Sequence, residues 1–266
     1  MGYQSVADML RDRVKQTPNL EAFSYPVKGG AWEKMNWQQV WERVETVAAG
    51  LRALGIEDED RCAILCSTRI EWLLADLGIM VCGGATTTVY PSSTEEDCQY
   101  ILSDSGSRVC FVEDDDQVAK LQSVRDQLPD VKFLINIDGA ASDDGWVITL
   151  DDLEAKGTAW LEENDIHEVI DRITPDKLAT LIYTSGTTGK PKGVELINDC
   201  WLYTGEALEE ISILTHEDKQ FLWLPLSHSF GKVLETIVIQ LGIPTAIDGT
   251  IPKIIDNLAV VKPTFM

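Results

Sequence analysis

The chain has 266 residues, 44% of them hydrophobic, which is enough to bury a substantial core as one large domain or two ordinary ones. It carries 44 acidic and 22 basic residues, for a net charge of -22. Such a surface repels phosphate backbones, so nucleic acid is not expected as a partner.

Two further features predict a cytoplasmic protein. No sequence stretch reaches the roughly 18 apolar residues of a membrane helix, which predicts no transmembrane segment and leaves only peripheral membrane contact open. The cysteines fall in apolar runs, without a C-x-x-C pair or a histidine at metal-ligand spacing, and this pattern is typical of buried thiols in a reducing compartment. They are Cys62, Cys66, Cys82, Cys98, Cys110 and Cys200.

The first half of the chain alternates between helical and strand patterns. Apolar residues from Trp37 to Leu54 recur at helical spacing, with Asn36 placed to cap the helix start and Gly55 its end. The following segments predict, in order, a strand at "RCAILC", a helix at "EWLLADLGIMVCGG", a strand at "ATTTVYP", a capped helix from "TEED" to Ser103, a strand at "RVCFV", a helix over 118–128 and a strand at "VKFLINI". This alternation predicts an α/β fold with a parallel sheet flanked by helices.

An acidic, turn-rich stretch interrupts the pattern after residue 137. We therefore predict a first α/β subdomain over 1–137, a connecting segment over 138–177, and the start of a second, incomplete α/β subdomain over 178–266. The pattern restarts with a strand at "LATLIYT", a helix over 198–213, a strand at "FLWLP", a helix over 229–241 and a strand at "IPTAI".

The loop "TSGTTGKPKG" that follows "LATLIY" indicates an anion-binding site. It is not a Walker loop, because Thr184 stands five residues before Gly189 and Pro191 follows Lys190. It is not a Rossmann fingerprint either, because it continues into the apolar stretch "KGVELI". Glycines that admit a ligand close to the backbone, together with hydroxyls and lysines, favour polyphosphate binding. A plain surface turn is the alternative, since glycine, threonine and proline are common in turns.

The order of residues in this loop resembles a known signature. "YTSGTTGKPKGV" is similar, position by position, to the signature loop of the adenylate-forming superfamily, which contains acyl-CoA synthetases, luciferases and the adenylation domains of peptide synthetases. "WLPLSHSFGKVLE" resembles a second core motif of that superfamily, and "IIDNLAVVKPTFM" resembles its long-chain fatty acyl-CoA synthetase branch. One departure is Asn198, which stands where many relatives carry a histidine.

The resemblance implies an acid–thiol ligase. A fatty acid would react with ATP to give an acyl-adenylate and pyrophosphate, and the thiol of coenzyme A would then displace AMP; ATP, Mg²⁺ and coenzyme A are the implied cofactors. His228 and Lys192 are the implied catalytic residues, and Thr184 is the implied metal ligand. The implied phosphate-binding residues are Thr184, Ser185, Gly186, Thr187, Thr188, Gly189, Lys190 and Lys192.

Further motifs of the superfamily, for adenine, ribose, the hinge and a late lysine, are not found in these 266 residues. The resemblance therefore predicts the N-terminal part of a ligase, inactive when isolated. The alternative is a non-catalytic nucleotide-binding or interaction module, and a homodimer is left open. Trp223, with three other tryptophans, is predicted to pack in the core, and His216 receives no role.

Overall fold

The computed structural model describes residues 2–184 and 189–266, and within them the chain forms eleven strands and ten α-helices. The strands are β1 (Glu21–Pro26), β2 (Trp32–Asn36), β3 (Arg61–Leu65), β4 (Ala85–Val89), β5 (Val109–Val112), β6 (Phe133–Asn136), β7 (Val147–Thr149), β8 (Leu178–Thr184), β9 (Lys192–Ile197), β10 (Gln220–Leu222) and β11 (Thr245–Ile247). The helices are α1 (Val6–Gln16), α2 (Trp37–Ala53), α3 (Ile70–Val81), α4 (Glu95–Ser105), α5 (Asp115–Gln122), α6 (Leu150–Leu161), α7 (Ile166–Ile170), α8 (Asn198–Ile211), α9 (Ser229–Leu241) and α10 (Ile254–Val261).

The strands form two sheets. The larger sheet has the order β7-β6-β5-β3-β4-β8-β9, and all of its pairs are parallel except β8–β9. The smaller sheet has the order β10-β11-β1-β2, in which β1 runs antiparallel to β2 and parallel to β11. The predicted α/β class is confirmed. Each sheet takes strands from both sides of residues 137 and 178, so the predicted subdomain boundaries do not coincide with the sheets.

Local capping signals place several helices where the sequence predicts them. Asn36 and Gln39 form a capping box at the start of α2. Thr94 caps α4, which ends at Gly106 with a φ of 63°, a left-handed conformation that favours glycine. Helix α9 covers the predicted residues 229–241.

The predicted connecting segment contains ordered elements, namely β7, α6 and α7. Helix α6 lies directly on α2. A Cβ atom added at Gly157 of α6 would lie 1.9 Å from the backbone oxygen of Thr46, so the two helices approach closely only because this residue is a glycine. The hydrophobic pattern of this segment is too weak to predict α6, which its close contact with α2 stabilises.

The last residues add a helix and one bridge to the smaller sheet. Helix α10 continues to Val261, and Phe265 forms a single parallel bridge with Gln220 of β10. The chain after α10 therefore pairs with β10 at one residue only.

Residues near the amino terminus hold the later helices in place. The guanidinium of Arg13 in α1 donates from Nε to the carbonyl of Ile239, near the end of α9, at 2.8 Å. The backbone N–H of Val6 donates to Oδ1 of Asn198 at 3.1 Å, and Asn198 donates in turn to the carbonyl of Lys177. Asn198, the departure from the superfamily pattern, thus joins α1 to the start of α8.

Two sequence-level expectations about environment can be compared with this fold. All six cysteines are free thiols, and five of them are buried, with Cys200 exposed. Among the described residues, no helix combines the length and the apolar character that crossing a bilayer requires.

Candidate functional site

The carboxyl ends of parallel strands from the two sheets meet around the loop 223–228. The hydroxyl of Thr68, just after β3, donates to the carbonyl of Leu224 at 2.8 Å. The hydroxyl of Thr88 in β4 donates to the carbonyl of Ser227 at 3.0 Å, and the Ser227 hydroxyl donates to Val89 at 3.2 Å. These bonds fix the loop at the edge of the sheet where ligands of open α/β folds commonly bind.

His228 ends this loop and caps α9. Its Nδ1 accepts a hydrogen bond from the backbone N–H of Phe230 at 3.2 Å, so in the neutral ring the proton lies on Nε2. The side chain is exposed, which leaves Nε2–H free to donate to a ligand. A Cβ at Gly231 would lie 2.4 Å from the carbonyl oxygen of Pro225, so a glycine is required where the first turn of α9 meets the loop.

Two cavities lie at this loop, and His228 lines one of them. One, of about 280 Å³, is lined by Tyr90, Leu224, Pro225, His228, Phe230 and Gly231. The other, of about 270 Å³, is lined by Cys66, Ser67, Thr68, Tyr90, Pro91, Ser92, Trp223, Pro225, Ser227, Gly249 and Ile251. They share Tyr90 and Pro225, and their walls are mainly apolar. The pair of cavities can accommodate an apolar chain next to an exposed imidazole.

The predicted phosphate loop connects β8 to β9. Thr184 ends β8 and pairs with Lys192, which begins β9. Gly189 has a φ of 112°, a conformation that side-chain-bearing residues rarely adopt, and Lys190 and Lys192 are exposed. The remaining predicted residues, Ser185, Gly186, Thr187 and Thr188, lie outside the described residues.

Strand register brings the base of this loop towards His228. Strands β4 and β8 are parallel neighbours, and their pairing includes Thr88 with Ile182. Tyr90 and Thr184 each follow two residues later, at the same edge of the sheet. Tyr90 lines the His228 cavity, so this cavity and the base of the predicted phosphate loop lie at adjacent strand ends.

Beneath His228, α9 carries a buried ionic cluster. Nζ of Lys232 donates to Asp76 of α3 and, at 2.9 Å, to Glu235, and all three side chains are at most 3% exposed. Burial and the neighbouring Asp76 raise the pKa of Glu235 to about 8. Burial alone would lower the pKa of Lys232, but Asp76 and Glu235 outweigh it and raise that pKa. At neutral pH Glu235 therefore retains its proton, next to the Lys232 ammonium.

Comparison with known proteins identifies the family. The sequence profile described as AMP-binding enzyme matches residues 10–266. The chain belongs to the AMP-binding enzyme family. It is 25% identical to the long-chain-fatty-acid–CoA ligase FadD15 of Mycobacterium bovis over 98% of this chain and 43% of that protein. It is 30% identical to the long-chain-fatty-acid–CoA ligase ACSBG1 of Rattus norvegicus, over 98% of this chain and 37% of that one.

Solved structures share the fold of this AMP-binding chain. The anthranilate CoA ligase AuaEII, in complex with anthranoyl-AMP, superposes with a TM-score of 0.83 at 21% identity, over 100% of this chain and 50% of that one. A long-chain-fatty-acid-CoA ligase, FadD1 of Archaeoglobus fulgidus, gives 0.83 at 18% identity, over 100% and 52%. The chain thus spans about half the length of the solved structures, and less than half of the two curated relatives.

Thr184 is the predicted metal ligand of this AMP-binding chain. Its hydroxyl is a single oxygen at an exposed strand end, and the part of the chain that the structure describes contains no group of three His, Cys, Asp or Glu side chains placed to hold a metal. Mg²⁺ commonly keeps several waters and binds through few protein oxygens plus substrate phosphates. A single hydroxyl at this place is compatible with a magnesium ion that substrate phosphates hold, and the role of Thr184 as a metal ligand stays a prediction.

Three residues of the site were not assigned to it from sequence. Tyr90 lines both cavities, Trp223 lines one of them while half-buried, and Thr68 fixes the loop between them. Trp223 packs against the buried cluster of Phe221, Ala246 and Val261, as predicted, and it also lines a cavity, which was not predicted. Tyr90 and Trp223 follow the strands β4 and β10 closely, and position after a parallel strand is the signal that could have identified both.

Proposed function

We propose that residues 1–266 form the phosphate- and carboxylate-binding part of an AMP-forming long-chain fatty acid–CoA ligase. The observation that carries the proposal is the placement of the His228 ring. Its Nε2–H donor stands at the wall of an apolar cavity that Tyr90 also lines, and Tyr90 follows β4, the strand next to the one that leads into the glycine loop. The names of the relatives, which are long-chain-fatty-acid–CoA ligases, support the substrate class.

The first step is a problem of like charges, because a carboxylate must approach the α-phosphate of ATP. Nε2–H of His228 donates to a carboxylate oxygen and orients it, while the acyl chain occupies the apolar cavities. Lys190 and Lys192 supply positive charge near the phosphates. Preorganised donors of this kind stabilise the charge that moves onto pyrophosphate as the acyl-adenylate forms. Such local capture of an anion is needed because the chain carries a net charge of -22.

Thr184 would contact a magnesium ion bound with ATP, and such an ion would neutralise phosphate charge. In the second step the thiol of coenzyme A attacks the acyl carbon, a thioester forms, and AMP leaves. His228 keeps the carbonyl oriented at the cavity wall throughout.

Location and assembly complete the proposal. We place the protein in the cytoplasm, in keeping with its free and mostly buried thiols. Self-association is supported by apolar side chains exposed in and near α10, of which Ile255 is 81% exposed and Val260 63%. Sedimentation at several concentrations measures it directly, and a monomer at all of them would remove this part.

The decisive experiment follows fatty-acid-dependent exchange of pyrophosphate into ATP. The polypeptide that carries residues 1–266 together with the predicted later motifs is expected to catalyse exchange with a long-chain fatty acid and Mg²⁺, and to form acyl-CoA when coenzyme A is added. The 266 residues alone are expected to bind polyphosphate without forming acyl-CoA. Binding without exchange in the longer polypeptide would instead favour a non-catalytic nucleotide-binding module.

A further inference from the structure

One face of α4 contacts the chain on both sides of the phosphate loop. Tyr100 and Asp104 stand one helical turn apart, so their side chains project from the same face. Asp104 accepts a hydrogen bond from β8 before the loop, and Tyr100 contacts residues 190–191 after it. The loop therefore leaves and rejoins the sheet against a single rigid helix.

The contact before the loop depends on a glycine. The hydroxyl of Tyr183 donates to Oδ2 of Asp104 at 2.8 Å, and burial and the Asp104 carboxylate raise the pKa of Tyr183. Gly193 of β9 lies directly opposite Tyr183 in the strand pair. A Cβ at Gly193 would lie 3.0 Å from Cζ of Tyr183, which is tighter than ordinary packing. The absence of a side chain at 193 gives the tyrosine ring room to reach α4.

The contact after the loop fixes a cation. The hydroxyl of Tyr100 donates to the carbonyl of Pro191 at 3.1 Å, and Nζ of Lys190 lies 4.7 Å from the centre of the Tyr100 ring. The rings of Tyr100 and Tyr183 stand edge to face, with their centres 6.5 Å apart. An ammonium within about 6 Å of a ring face is attracted by it. Lys190 is thus held at a defined place although its side chain is exposed.

We propose that Tyr100 and Asp104 are positioning residues for polyphosphate binding: they fix both ends of the loop, and the Tyr100 ring preplaces the Lys190 ammonium. The proposal rests on the proposed function, since it takes phosphate as the ligand of the loop. A loop with fixed ends loses less conformational freedom when it binds, and a lysine already held near its working position loses less side-chain entropy. Neither residue needs to touch the phosphate.

The test uses the 266-residue chain and inorganic tripolyphosphate with Mg²⁺ as the probe. Tyr100→Phe keeps the ring and removes the hydrogen bond, while Tyr100→Leu removes both; Tyr203→Leu, at a tyrosine that is 71% exposed on α8, is the matched control. Loss of one hydrogen bond is expected to raise the Kd by about 2- to 10-fold. Loss of the ring face is expected to add about 2- to 5-fold. The Tyr203→Leu protein should bind like the unaltered chain.

Hydrogen exchange gives a readout that does not require phosphate. In Tyr100→Leu, the amides of Lys192–Val194 should exchange faster, while those of β10 and the urea midpoint of unfolding stay close to the unaltered values. An unchanged Kd together with unchanged exchange at Lys192–Val194 would overturn the positioning role. Equal Kd values for Tyr100→Phe and Tyr100→Leu would overturn the part assigned to the ring. An unaltered chain that does not bind tripolyphosphate would overturn the proposed function, while the exchange data would still decide whether α4 anchors the loop.

Discussion

Substituting Lys232 with methionine tests the buried cluster beneath His228. The lysine is the only cation among the three buried partners, and its ammonium also lies 5.8 Å and 5.6 Å from the ring centres of Trp72 and Trp201. Methionine has a similar length and no charge. The substitution therefore leaves Asp76 and Glu235 in place and removes the charge that balances them.

The magnitude follows from removing one partner of a buried ion pair. Glu235 already holds a proton at pH 7, because burial and the neighbouring Asp76 raise its pKa to about 8, and Lys232 supplies the positive charge of the cluster. Breaking a buried pair by removing one partner typically costs about 3–5 kcal/mol.

Urea unfolding of the 266-residue chain at pH 7 measures this cost. We expect Lys232→Met to lose about 3–5 kcal/mol, because the substitution leaves Asp76 and Glu235 buried without the ammonium that pairs with them. Adding Asp76→Asn and Glu235→Gln to Lys232→Met removes every charge of the cluster and should recover most of the loss. A loss below about 1 kcal/mol would refute the reasoning.

The same cluster predicts that Glu235→Gln flattens the fall in stability between pH 5 and pH 8, where each unit is worth about 1.4 kcal/mol; an unchanged profile would place the proton elsewhere. In the longer polypeptide, Lys192→Ala should reduce pyrophosphate exchange by about 3–4 kcal/mol in transition-state stabilisation, and Lys156→Ala should leave it unaltered. His228→Ala should lower exchange while costing at most about 1 kcal/mol of stability as a lost cap; normal exchange would leave it only the capping role. Gly157→Ala should cost about 3 kcal/mol in urea unfolding despite better helix propensity, because its Cβ would overlap the backbone of α2.

Local signals in the sequence predicted much of the α/β alternation. Helices α2, α4 and α9 begin at or next to the predicted residues, because caps such as Asn36 and Thr94 and the terminal Gly106 act within a few residues of the chain. The position of His228 at the start of α9 followed from the same short-range pattern. The polyphosphate role of the glycine loop stays a prediction, since four of its residues lie outside the described part of the chain.

What the sequence did not predict depends on distant contacts. The hairpin β1–β2 joins β11, more than 200 residues away, and nothing near residue 21 indicates that partner. Lys232 and Glu235 stand three residues apart, a spacing typical of an exposed ion pair on a helix. In the structure both are buried with Asp76 of α3, a contact that the local sequence does not predict. The contacts of Tyr100 with residues 190–191 were not predicted for the same reason, because these partners lie about 90 residues further along the chain.

The pairing of β1 with β11 sets an order for folding during synthesis. The first 36 residues leave the ribosome early, but their sheet gains its parallel partner only after residue 247 has been made. Until then the outer edge of β1 has no partner strand, and an isolated two-stranded hairpin is at best marginally stable in water. The hydrogen bonds of Arg13 to α9 and of Val6 to α8 likewise form only after those helices have been made. The larger sheet from β3 to β9 can therefore assemble first. The amino-terminal residues pack last, at the stage when α9 forms and positions His228.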